Sequence, residues 1–164
     1  MKSATNSDMK KMEEQNESYR SSFTVKVSTH EALERIERVS DWWTASFHGN
    51  SQSVDDIFTI HLRGESFVNF KVVELIPDRK AVWLVTDCNL SWIKDKKEWK
   101  GTKLIWELST EKGGTKVTMT HVGLVPKIEC YDDCKLGWNF YFGKSLRKFL
   151  AEGKGLPDEY RRNR

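Results

Sequence analysis

The chain has 164 residues and a net charge of +3, from 27 basic and 24 acidic side chains interleaved along its length. That is one domain's worth of chain, and the mixed charge gives no electrostatic case for nucleic acid or an anionic membrane surface. Aromatic residues make up 12%, with seven Trp and eight Phe, which excludes a fully disordered chain, and no apolar run approaches the roughly 18 residues that a membrane-spanning helix needs.

Residues 1–22 read as a flexible tail, with no branched aliphatic residue, one ring at Tyr19 and charges that cancel. A helix around Met9 to Gln15 would be marginal by itself. The first eight residues lack the apolar stretch of a secretory signal. Three cysteines cannot all pair, so a reduced cytoplasmic setting is expected.

Structure is expected to begin at Phe23, where Phe23 to Ser28 alternates apolar and polar like a half-buried strand. Thr29 is the expected N-cap of a helix carrying Leu33, Ile36 and Val39, and a second short turn follows through Ser40 to Trp43. Gly49-Asn50-Ser51 breaks the pattern. Strands are then predicted over Asp56 to Arg63, with Phe58, Ile60 and Leu62 on one face, and over Ser66 to Ile76, with Val73 marking a bulge. Pro77-Asp78-Arg79 is a turn. Ala81 to Thr86 is apolar on both faces, which leaves the direction of Trp83 open. Asp87 to Lys100 reads as a loop carrying Trp92 and Trp99. A hairpin follows, with Leu104, Trp106 and Leu108 on one strand, Gly113-Gly114 at its turn, and Val117, Met119 and His121 on the next strand. The last helix, about Asp132 to Ala151, carries Trp138, Phe142, Leu146, Phe149 and Leu150 on one stripe. Residues 156–164 read as a charged tail.

Strands in hairpin runs, not alternating with helices, make the class α+β with an antiparallel sheet. The order and the residues resemble the START-like, or SRPBCC, superfamily, whose helix-grip fold is shared with the birch pollen allergen. They are most similar to the family named after the activator of the ninety-kilodalton heat-shock chaperone's ATPase. Four groups carry the resemblance: Trp42-Trp43; Val73 to Asp78 ahead of Val82-Trp83; Thr120-His121-Val122-Gly123-Leu124; and Gly137-Trp138 with Leu146 and Gly153. It spans about residues 23–155. It implies a curved sheet of about six or seven strands wrapped around a long C-terminal helix, with two short helices after the first strand. It also implies an internal cavity, used by different members for lipids, hydrophobic metabolites, cyclisation chemistry or chaperone contact. The chaperone activator carries an additional N-terminal domain, which residues 1–22 are too short to supply. The Glu129 to Cys134 stretch is not a general superfamily feature.

The expected ligand-binding residues are therefore Trp43, Phe58, Ile60, Phe70, Val72, Trp106, Met119, His121, Trp138 and Phe142, all facing the space between sheet and helix, with Trp42, Trp43, Trp92 and Trp99 helping to gate its opening. A filled core would use the same rings. His121 lies on an apolar face, as a satisfied structural histidine or as a group that orients a ligand or moves a proton. Cys130 and Cys134, four apart at a helix start, read as a strained disulfide, a reactive thiol or two ordinary buried cysteines. Glu74, Glu107 and Glu129 are carboxylates that would approach the cavity edge. No metal-ligand spacing, nucleophile elbow, phosphate loop or dinucleotide fingerprint is present, so no cofactor, metal or catalytic residue is assigned. The expected function is a binding module for a lipid or other hydrophobic small molecule. The alternatives are a co-chaperone-like partner of the heat-shock chaperone, or a small cavity enzyme of cyclase or hydrolase type with His121 as acid or base.

Overall fold

The structure is a computed structural model that describes residues 5–9 and 17–162. The marginal helix expected around residues 9–15 falls, Met9 apart, outside the described residues. Alternating apolar residues build seven strands: β1 (Tyr19–Val25), β2 (Phe47–Gly49), β3 (Ile57–His61), β4 (Phe67–Ile76), β5 (Lys80–Asn89), β6 (Lys103–Glu111) and β7 (Gly114–Val122). All pair antiparallel in the order β1-β7-β6-β5-β4-β3-β2, so the first two strands lie at opposite edges. The connection between those edges carries α1 (Thr29–Ile36) and α2 (Val39–Trp42). Ser28, not Thr29, caps α1, its hydroxyl accepting from the Glu31 N–H at 3.1 Å. Val39 falls outside α1 and opens α2.

Three elements differ from the sequence expectation. β1 starts at Tyr19, because Tyr19 buries its ring and its hydroxyl donates to the Asn139 side chain at 2.7 Å, so the last part of the expected tail is strand. β2, which alternation alone did not mark, is a three-residue edge strand pairing with Phe58 to Ile60. β5 runs on past Thr86 to Asn89, with Cys88 buried. The expected bulge at Val73 is present as a register shift between Val72 and Glu74, and a second shift lies between Asn69 and Phe70. Such extra residues bend a strand and sharpen its twist, which suits a sheet curving around a helix.

The C-terminal helix runs as α3 (Tyr131–Phe140), a π-helical stretch (Tyr141–Leu146) and α4 (Arg147–Glu152). Its core residues Trp138, Phe142, Leu146 and Leu150 recur every four positions. Each such step overshoots a 3.6-residue turn by about 40°, and π winding absorbs the drift. The stripe packs on the inner face of the sheet, where Phe58, Phe70, Trp83, Trp106, Val117 and Met119 are fully or almost fully buried. Trp83 thus points inward. The rings touch one another: Phe58–Trp83 at 5.1 Å, Trp83–Trp106 at 5.2 Å and Trp106–Phe142 at 6.0 Å between centroids.

The segment after α4 is docked rather than trailing. Gly155 lies so close to α2 that a Cβ would sit 2.5 Å from the Asp41 carbonyl oxygen. Asp158 N–H donates to the Trp43 carbonyl at 2.9 Å, and its carboxylate accepts from the Ala45 N–H at 3.0 Å. A final helix, α5 (Glu159–Arg162), places Tyr160 against Phe140 and Tyr141. The buried hydroxyl of Ser145 holds both sides together, donating to the Trp42 carbonyl at 2.6 Å and accepting from the Leu156 N–H at 2.8 Å. Ser145→Ala leaves both groups without this partner, so urea denaturation should show a loss of about 1–3 kcal/mol. An unchanged midpoint would mean that the two bonds add nothing.

Candidate functional site

All ten expected ligand-binding residues are buried and face one interior. Eight of them, Phe58, Ile60, Phe70, Val72, Trp106, Met119, His121 and Phe142, lie in packed contacts behind the opening. Trp43 and Trp138 line a cleft of about 90 Å³ that opens at the end of the sheet. Its other walls are Leu62 and Arg63 after β3, Trp92 and Trp99 of the β5–β6 loop, Asp133, Cys134, Gly137 and Tyr141 of the helix, and Tyr160 of α5. Trp42 is not at the opening. Its ring is fully buried, stacked on Trp43 at 5.6 Å, with its N–H donating to the Ile36 carbonyl at 3.0 Å.

The indoles are held in place by polar ties behind them. Trp138 Nε1–H donates to His121 Nδ1 at 3.1 Å. The Thr102 hydroxyl donates to the Trp99 carbonyl at 2.6 Å and lies 2.9 Å from His121 Nε2. An indole nitrogen only donates, and the hydroxyl proton is already engaged. His121 is therefore the neutral tautomer with its proton on Nε2, donating to Thr102. It exposes no surface, and burial pushes its pKa down to about 3. With both nitrogens engaged and no exposed surface, His121 sits as a structural tie, in keeping with the first of its two expected readings, and it lies behind Trp138 and Trp99 and not among the cleft-lining residues. Trp99 meets the imidazole edge-on at 4.6 Å and lies parallel to Trp138 within 7°.

A second tie fastens the β5–β6 loop to the start of α3. Cys130, the N-cap, makes no side-chain capping bond. Instead the Glu98 carboxylate accepts from the backbone N–H groups of Glu129 and Cys130, both at 2.9 Å. Glu129 reciprocates, its carboxylate accepting from the Lys94 N–H at 2.9 Å and the Asp95 N–H at 3.2 Å. Those backbone bonds, the Lys94 one first, hold its pKa below the usual carboxylate range. Glu129 is thus an exposed clasp and not a base at a cavity edge. Glu74 is exposed and pairs with Lys80 at 3.2 Å, and Glu107 is exposed on β6. Neither lines the cleft.

The three cysteines are free and buried. Cys130 Sγ accepts from Trp99 Nε1 at 3.2 Å. Hydrogen bonding with Cys134, then burial, pushes the Cys130 thiol well up, against the thiolate that a helix start would favour. At the cleft rim Arg63 and Asp133 pair at 3.5 Å while the guanidinium lies over the Trp92 ring at 4.7 Å. Both partners are near 40% exposed, so this pair orients Trp92 more than it stabilises the fold. Arg63, Gly137, Tyr141 and Tyr160 escaped sequence reading. Asp133, Gly137 and Tyr141 sit four apart on one helical row beside Cys134 and Trp138, a signal that marks the wall once the helix is drawn.

His121 has a testable pH signature. Its pKa is about 6.5 unfolded and about 3 folded, so the unfolded chain binds more protons between those values. The contribution to stability is complete above about pH 6.5 and drains away as pH falls toward 3. Glu37 acts in the opposite direction: burial, then Glu34, raises its pKa to about 7, stabilising the fold at low pH and less as pH rises from about 4.5 to 7. Comparison with His121→Asn, which keeps an acceptor and a donor but does not titrate, cancels the Glu37 effect. In urea titrations the stability of the parent relative to the variant should grow by about 1.4 kcal/mol per pH unit between about pH 3.5 and 6. Parallel profiles would remove the neutral-imidazole assignment.

No curated protein matches the chain. Among solved structures, the Aha1 dimer from Colwellia psychrerythraea aligns with TM-score 0.67 at 23% identity, over 83% of this chain and 97% of that one. Protein MLL2253 from Mesorhizobium loti aligns with TM-score 0.66 at 14% identity, over 85% of this chain and 99% of that one. DynU16, a protein of the dynemicin biosynthetic locus, aligns with TM-score 0.61 at 17% identity, over 85% of this chain and 49% of that one. At these identities the likeness is one of fold. Residues 28–151 match the family described as activator of Hsp90 ATPase homolog 1-like protein. With its seven-stranded sheet closed on a C-terminal helix, the chain belongs to that family, within the START-like superfamily.

Proposed function

We propose that the chain is a binding module for an apolar small molecule, a lipid or other hydrophobic metabolite, which enters at the cleft. The observation that carries this reading is the convergence of four indoles from three chain segments on one opening: Trp43, Trp92 and Trp99, and Trp138. Small-molecule sites are apolar concavities with few polar groups, and here Arg63 and Asp133 supply the only charges of the lining. At about 90 Å³ the cleft is smaller than the roughly 150 Å³ apolar cavity that accommodates benzene. It therefore receives one end of a guest, and deeper binding shifts the rings behind it.

Gly137 gives a clean test. It lines the cleft, and a Cβ there would meet nothing within 4 Å. Gly137→Leu puts bulk at the cleft wall while raising helix propensity by roughly 0.5–1 kcal/mol. The parent should show tryptophan quenching and a rise in melting temperature with members of a fatty-acid and aromatic-hydrocarbon panel. The variant should bind at least tenfold more weakly while melting no lower. Absence of any shift in the parent across the panel would overturn the reading.

A chaperone contact is the second reading, supported by the family description and by three exposed apolar side chains, Val54, Ile57 and Val73, on and beside β3 and β4. Under it, the protein raises the chaperone's ATPase rate and Ile57→Lys abolishes that rise. An ATPase rate unchanged by the parent protein counts against it.

A further inference from the structure

Among the described residues, three buried side-chain polar atoms have no hydrogen-bond partner: Nε1 of Trp83, Trp92 and Trp106. All three are indole N–H groups, which can only donate. Among the described residues no buried side-chain oxygen is left in the same state, and the buried hydroxyls of Thr44, Ser51, Thr115 and Ser145, for example, each reach an acceptor. A buried donor that makes no bond is a standing penalty and calls for an explanation. Trp83 and Trp106 expose no surface, sit on neighbouring strands β5 and β6, and have ring centroids 5.2 Å apart. They are two ring contacts from the cleft. Trp43 meets Phe70 at 6.0 Å and Phe70 meets Trp83 at 6.0 Å. Trp42, stacked on Trp43, meets Trp106 at 5.7 Å.

We propose that the guest carries a neutral carbonyl at its leading end, and that this oxygen accepts hydrogen bonds from the indole N–H groups of Trp83 and Trp106. The inference rests on the reading that an apolar guest enters at the cleft, and it names the guest's chemistry. A leading hydroxyl or amine would bring a donor into a region with no unpaired side-chain acceptor. A leading carboxylate would need a cation, and none faces it: Arg63 stays at the rim, and His121 is held neutral by Trp138 and Thr102. A ketone, quinone or ester oxygen offers two lone pairs to two donors and adds no donor of its own. The guest displaces ring contacts such as Trp43–Phe70 as it enters, so the two N–H groups acquire their acceptor only in the complex.

The test uses 9-fluorenone and fluorene, rigid tricycles that differ by a carbonyl in place of a methylene. Binding is followed by calorimetry and by the seven indole N–H resonances of the intact protein, with Trp83 and Trp106 assigned from single Trp→Phe variants. Fluorenone should bind at least tenfold more tightly than fluorene and move the Trp83 and Trp106 resonances downfield. In the variants that preference should fall below threefold while fluorene affinity changes little. Equal affinity of the two tricycles for the parent overturns the carbonyl assignment and leaves the apolar cleft standing. Binding of neither overturns both. Two indole resonances that exchange magnetisation with water and do not move with fluorenone identify water as the acceptor, which also overturns the proposal. The comparison on the parent protein needs no variant to fold.

Discussion

The neutral imidazole of His121 ties three parts of the molecule that otherwise share no backbone pairing. It stands on β7, accepts from Trp138 of the C-terminal helix, and donates to Thr102, whose hydroxyl holds the carbonyl of Trp99 in the β5–β6 loop. Each bond needs the proton where it is. Protonation of Nδ1 would set two donors face to face, and admission of water would lower the barrier to that protonation. The dryness of the interior and the placing of two cleft indoles are therefore one condition, not two. The packed rings supply the apolar surroundings, at roughly 1.5–3 kcal/mol for each fully buried large side chain, and the histidine converts that burial into fixed positions for Trp99 and Trp138.

The cleft itself is assembled from irregular segments. Its walls come from the turn after β3, the loop between β5 and β6, the start of the helix and the docked C-terminal segment. The exchange between Glu98 and Glu129 works like a capping box run across two chain segments: each carboxylate satisfies backbone donors that the other's segment leaves open. A stiff sheet carries the packing, and these few bonds decide how the opening is shaped.

What the sequence displayed follows from period and what it hid follows from distance. Alternation marked β3, β6 and β7, and the four-residue recurrence of Trp138, Phe142, Leu146 and Leu150 marked the helix and its buried face. Seven of the ten interior residues lie on strands and were legible because the same alternation that makes a strand also says which side it hides, and Trp138 and Phe142 were legible from the helical row. Three-residue β2 was too short to alternate, and Ser28 and Thr29 are equally good caps on paper. The tails were misjudged because Tyr19 and Tyr160 are anchored by partners far along the chain, at Asn139 and at Phe140 with Tyr141. Arg63 was read as the end of a strand, but β3 stops at His61, and Arg63, half-buried in the turn beyond it, reaches Asp133 of the helix. Nor did pattern say that His121 would find two partners of matching polarity, since that depends on Thr102 already spending its proton on Trp99.

The π-helical stretch bears on how long this helix has to be. Trp138 and Leu146 stand eight residues apart yet serve the same buried face. In a regular α-helix seven residues return to within about 20° of the starting direction, so the wide turn accommodates one surplus residue. A chain lacking a single residue between these two positions would present the same face with uninterrupted i→i−4 bonding. Proteins of this architecture can therefore differ by one residue in the middle of their longest helix and still superimpose at both of its ends.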